Sequence, residues 1–131
     1  MNILVTSARM PFALDEIRML GQSGHRVDAA DTFRTAPGLG SKWVDRTFIV
    51  PSPRYDTAGF LDAIDDIVRE RAINMVVPTF EEALYLMRDA ARFEDRTQLF
   101  APSYDTLQLL HDKARFVALC RELGVRVPKT Q

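Results

Sequence analysis

Three side chains in this sequence occupy positions from which they could do chemistry. Lys113 follows Asp112 and opens a run in which Phe116, Val117, Cys120 and Leu123 recur at helical spacing. Asp112 is a good N-cap, because its carboxylate accepts a hydrogen bond from a first-turn N–H. Gly124 supplies the left-handed stop, and Pro128 bars any return to helix. A lysine at the first helical position is opposed by the helix dipole, by roughly 0.3–1 kcal/mol. That placement makes sense if an anion binds against the N–H groups there; otherwise Lys113 is a solvated surface charge. Arg9 is the charged group on the loop 6–13 and suits a carboxylate or phosphate. Glu81 belongs to Pro78-Thr79-Phe80-Glu81-Glu82, where Thr79 and Glu82 have the spacing of a capping box. Glu82 is then structural. Glu81 is left to point outward and hydrogen-bond an adenosine hydroxyl or a substrate amine.

The elements that must carry these residues alternate along the chain. Ile3-Leu4-Val5 is continuously apolar, as in parallel strands covered on both faces. A helix follows Pro11, with Ala13, Leu14, Ile17 and Leu20 as its inner stripe and Gly21 and Gly24 as its end. Residues 26–30 form a second strand, and the turn-rich stretch 31–45 leads to a third at Thr47-Phe48-Ile49-Val50. Trp43, in that stretch, reads as a cover for the sheet edge. A helix over 57–71 turns Phe60, Leu61, Ile64, Ile67 and Val68 inward. Met75-Val76-Val77 is the fourth strand, and one helix over 80–93 presents Leu84, Met87 and Ala91. Leu99-Phe100 is a short fifth strand, and Ser103 caps a brief helix ahead of Asp112. Such alternation predicts an α/β fold of three layers, a Rossmann-like parallel sheet with right-handed crossovers and strand order 3-2-1-4-5. The strands at 3–5, 48–50 and 76–77 should be nearly solvent-free. The crevice for ligands then lies between the loops after the first and fourth strands, which hold Arg9 and Glu81.

Other chemistry is excluded or left without support. The loop 6–13 has no glycine, so a dinucleotide pyrophosphate could not approach its backbone, and no GxxxxGK[ST] occurs. The 2 histidines sit near unrelated turns and form no metal site. The lone cysteine, Cys120, reads as a small buried hydrophobe. Asp15-Glu16 and Asp65-Asp66 read as solvated charge on outward helix faces. Ser7 and Ser41 have no base visible in sequence. No catalytic residue and no metal ligand is assigned. A net charge of −1 gives no pull toward nucleic acid or an anionic membrane. The short run at Ile3–Val5, with no cation before it, is no secretory signal, and no membrane-spanning stretch occurs, so a cytoplasmic location is expected.

The tail, Asp112-Lys113, Phe116 and Gly124-Val125-x-Val127-Pro128-x-Thr130, resembles the junction between the pre-ATP-grasp and ATP-grasp domains of carboxylate–amine ligases. Biotin carboxylase and the large subunit of carbamoyl phosphate synthetase share that junction. Pro-Thr-x-Glu-Glu after the fourth strand and the segment of Ser41, Trp43 and Asp45 resemble the same family. The resemblance spans residues 1–130. It implies a pre-ATP-grasp domain over 1–128, with 129–131 opening a linker to an ATP-grasp domain. It further implies ATP as cofactor, with magnesium held by that other domain, and a small-molecule carboxylate as substrate, activated as an acyl phosphate. Lys113 would help neutralise the ATP phosphates, while Arg9 and Glu81 would face the substrate. The 131-residue chain by itself should be inactive. The rival expectation is a non-catalytic, flavodoxin-like binding or regulatory module, whose nearest approach to a phospho-acceptor is Asp28 and Asp31.

Overall fold

The computed structural model describes residues 1–128; the expected linker, 129–131, lies outside the described residues. The chain divides into two compact units, Met1–Ala101 and a second that begins at Pro102. The first holds β1 (Asn2–Val5), α1 (Pro11–Gln22), β2 (Arg26–Asp31), β3 (Val44–Ile49), α2 (Thr57–Arg71), β4 (Met75–Val77), α3 (Glu82–Arg88) and β5 (Gln98–Leu99). All pairings are parallel and the order is β3-β2-β1-β4-β5, as the alternation predicts.

The period of two along a strand explains the unbroken apolar run of β1. Ile3 and Val5 join Val27, Ala29, Ala13 and Ile17 on the α1 face of the sheet. Leu4 joins Ala30, Phe60, Ile64 and Val76 on the α2 face. Both faces are covered, so Ile3, Leu4 and Val5 leave no position for a polar residue. The five inward residues expected for α2 are all buried. Asp28, a fully buried acidic residue of β2, is paired with Arg71 at the end of α2, at 2.8 and 3.2 Å. That hydrogen bond, against the opposing effect of burial, holds the Arg71 guanidinium above its usual range.

Several expectations need correction. β3 begins at Val44 and is the sheet edge, so Phe48 is only half-buried and Ile49 is 45% exposed; Val50 alone of that trio is buried. An edge strand has one neighbour, and burial on both faces is not imposed on it. The helix expected over 80–93 is α3 followed by a 3₁₀ turn at Ala90–Arg92, with the break at Asp89. Its inner residues are Glu82, Ala83, Leu86 and then Phe93, while Ala91 is exposed. Glu82 is drawn inward by partners on β1's loop, and this turns the 83/86 face to the core. α1 continues through Gly21, which is a contact rather than a stop: a Cβ there would stand 2.8 Å from Trp43 Cβ. Trp43 packs with the α1-side core, and the turn itself is made by Gly24 at φ +82°. β5 lies one residue earlier than expected.

Two charges read as solvated are not. Asp65 is 5% exposed and meets Arg96, Arg92 at 3.5 Å and Arg69 at 3.8 Å. Burial pushes its carboxyl up, but the Arg96 hydrogen bond and the three arginine charges outweigh this and hold it below the usual range. Glu16 is half-buried, its Oε2 has no hydrogen-bond partner among the described residues, and burial pushes its carboxyl up.

The second unit contains α4 (Tyr104–His111) and α5 (Lys113–Glu122). Ser103 Oγ accepts from Thr106 N at 3.3 Å, and Asp112 Oδ1 accepts from Ala114 N at 2.9 Å and Arg115 N at 3.0 Å. Gly124 adopts φ +71° and Val125 N returns to Cys120 O at 2.8 Å, the expected αL stop. Cys120 is half-buried rather than buried. No helix among the described residues is long and apolar enough to cross a membrane.

Candidate substrate crevice

In this strand order the chain reverses direction across the sheet between β1 and β4, and the loops beyond their carboxyl ends must part. A crevice of about 390 Å³ opens there, reaching over the ends of β2 and β3 as well. Arg9 from the β1 loop and Glu81 from the β4 loop both line it, so two of the three residues singled out from sequence are brought together. Lys113 belongs to the second unit, where it is exposed at the first position of α5. Asp112 already takes the Ala114 and Arg115 N–H groups, so the ammonium is what Lys113 itself offers an anion.

Arg9 is held on three sides. Asp31, fully buried at the end of β2, accepts from Arg9 N at 2.8 Å and from Nη1 at 3.1 Å. The guanidinium carbon lies 5.4 Å from the centroid of Phe33 and 5.9 Å from that of Phe80. Cation–π contact and the ion pair thus fix a side chain that would otherwise sweep many rotamers. Among the described residues its side chain makes that one hydrogen bond, which leaves most of its five donors for a ligand. Asp31 also accepts from Phe33 N at 2.9 Å, and so places the ring and the guanidinium together.

Glu82 closes the floor and is 3% exposed. Its carboxylate accepts from Thr6 Oγ1 at 2.6 Å, Ser7 Oγ, Thr79 N at 2.9 Å and Phe80 N at 3.3 Å. With four donors it is saturated, and its task is to tie the β1 loop to the β4 loop. The capping box is therefore half made. Glu82 reaches back as expected, but Thr79 Oγ1 donates to Thr6 O at 2.7 Å instead of accepting from α3. Ser7 stands in this brace at φ +50°, a left-handed conformation that L residues rarely adopt. Its hydroxyl donating to Glu82 and the Met10 N–H on its carbonyl, at 3.0 Å, hold it there. Glu81, exposed, borders the same crevice just ahead of α3.

The partners of Arg9 were the part that sequence concealed. Asp31 ends β2 and Phe33 follows it, while Phe80 lies on the loop after β4, and only the strand order unites them. Arg54 and Tyr55, from the β3–α2 loop, complete the rim, with the guanidinium 5.8 Å from the ring centroid.

No family model and no curated protein matches this chain. Solved structures do. An L-amino acid ligase from Bacillus licheniformis superposes with TM-score 0.72 at 17% identity, over 97% of this chain and 31% of that one. A biotin carboxylase from Campylobacter jejuni, in a β,γ-ATP complex, gives 0.66 at 18% identity over 99% and 29%. An N5-carboxyaminoimidazole ribonucleotide synthetase from Thermotoga maritima gives 0.62 at 19% identity over 98% and 32%. The chain thus has the pre-ATP-grasp fold that its sequence resembles, and it spans about a third of the length of these three proteins.

Proposed function

We propose that this chain is the N-terminal, substrate-side domain of an ATP-dependent ligase that joins a carboxylate to an amine or a similar nucleophile. The observation that carries the proposal is the pinned Arg9 in a crevice at the switch point, within a fold shared with ligases that are about three times as long. In this reading 1–128 is the domain and 129–131 begins a linker. Arg9 pairs with the substrate carboxylate and Glu81 accepts from a substrate amine or an adenosine hydroxyl. Lys113 contributes one cation toward the ATP phosphates. Magnesium and the remaining nucleotide contacts fall to the ATP-grasp part of such a ligase.

The chemistry follows from what Arg9 does to a carboxylate. A carboxylate oxygen attacks the γ-phosphorus and ADP departs; the nucleophile then attacks the acyl carbon, inorganic phosphate leaves with the oxygen it gained from the acid, and the nucleophile's proton passes to solvent. Arg9 fixes which oxygen is presented and keeps the acid from drifting before attack. The regulatory-module reading has less to rest on, since Asp28 is held by Arg71 and Asp31 by Arg9. Steady-state kinetics of the complete ligase tests the proposal. Arg9→Ala should raise KM for the acid by about tenfold or more, the worth of a charge-assisted bond, with KM for ATP unchanged. An equal rise in both would detach Arg9 from the acid.

A further inference from the structure

The lining of the crevice says more about the acid than that it is an acid. Resting on the substrate-site reading above, we infer that the crevice takes a carboxylic acid with a ring-bearing apolar body, its carboxylate on Arg9. Four observations carry this. The volume, about 390 Å³, lies in the range of roughly 300–1,000 Å³ that accommodates small organic ligands, far above what bicarbonate or acetate fills. Beyond Arg9, Val50, Pro53 and Tyr85 put apolar surface on the side toward β3 and α3. Tyr55 stands at the rim 84% exposed, and Phe33 and Phe80 are 57% and 42% exposed, a concentration of uncovered rings around one opening. Arg9 is the inner cation, with donors remaining for a carboxylate.

The geometry suits such a ligand energetically. Phe33, Phe80 and Asp31 have already immobilised Arg9, so little side-chain entropy remains to be lost when a carboxylate arrives. The apolar body then supplies the larger part of the affinity through buried area. A small acid gains the first contribution and not the second. A neutral ring compound gains the second and not the first.

Amide chemical-shift titration of the 131-residue chain tests this. The probes are 3-phenylpropionate, 3-phenylpropan-1-ol, propionate and ATP. Saturable shifts at Arg9, Phe33 and Phe80 are expected with 3-phenylpropionate, at an affinity about tenfold or more above those of the alcohol and of propionate. Arg9→Gln should bring the acid down to the level of the alcohol. Because that change leaves the buried Asp31 without its cation, Tyr55→Ala, at an exposed rim position, provides a second arm. It should weaken 3-phenylpropionate severalfold and leave propionate unaltered. Propionate or the alcohol binding as tightly as the acid overturns the inference, as does the absence of saturable shifts. Saturable shifts at Phe33 and Phe80 produced by ATP would assign the rings to a nucleotide base and overturn it too. The two readings fail separately. Binding of the ring acid without ATP turnover in the complete protein sinks the ligase reading alone. Turnover of propionate with no preference for a ring acid sinks this inference alone.

Discussion

Glu82 and Thr79 show how a local motif is diverted by the fold around it. The spacing Thr-x-x-Glu announces reciprocal caps, but in the folded chain Glu82 serves four donors from two loops and Thr79 Oγ1 serves Thr6 O. The stability losses should rank accordingly. Glu82→Ala orphans the Thr6 and Ser7 hydroxyls and two backbone N–H groups and should cost about 3 kcal/mol or more. Thr79→Ala loses one good bond and should cost about 1 kcal/mol. Urea melts of the two variants check the order; equal losses for Glu82 and Thr79 would restore the simple capping box. Lys113→Ala removes a cation from a helix start whose dipole opposes it, so this chain should become equally or slightly more stable. A clear loss of thermal stability in that variant would show that Lys113 has a structural partner instead. Of the three residues singled out from sequence, Arg9 and Glu81 were legible as crevice residues because loop membership follows from strand order. That Asp31 and two phenylalanines pin Arg9 was not legible, since those contacts span loops separated in the chain.

At the scale of elements, the Asp65 cluster links α2 to the segment between α3 and β5 and makes stability depend on acid. The folded-state carboxyl lies below its ordinary 3.8, so its contribution is fully present above about pH 4 and is lost as pH falls through the folded value. Asp65→Asn should cost about 1–3 kcal/mol at pH 7, a bond to charged groups lost from a buried site. The gap between the two proteins should narrow at pH 3. A gap of the same size at both pH values, read from urea midpoints, would refute the assignment. Glu16 runs the opposite way: its carboxyl is raised above 4.5, so the charged form weakens the fold once pH exceeds that value. Glu16→Gln should therefore raise the melting temperature at pH 7 and lose that advantage at pH 4. α2 was fully legible, because fifteen residues carry a clear 3.6-residue period. α3 was not, because its register is set by Glu82 reaching β1's loop, a contact that leaves no period in the sequence. Asp65 was misread for a related reason: its three arginines lie on two segments, and only Arg69 is near in sequence.

For the molecule as a whole, the strand order was legible because continuous apolar strands alternating with helices admit few right-handed arrangements. The exposure of β3 follows from that same order, yet the apolar run Phe48-Ile49-Val50 masks it when read alone. Function at this scale depends on whether the pinned arginine serves a carboxylate that ATP then activates. The most direct measurement uses an acid labelled with oxygen-18 in its carboxylate and follows the inorganic phosphate released by the complete ligase in the presence of ATP and an amine. An acyl phosphate requires that one labelled oxygen per turnover pass from the acid to the phosphate, and Arg9→Ala should slow this release at low acid concentration without changing the label per phosphate. Phosphate released without label, or no ATP-dependent release with any ring-bearing or small acid, would contradict the account.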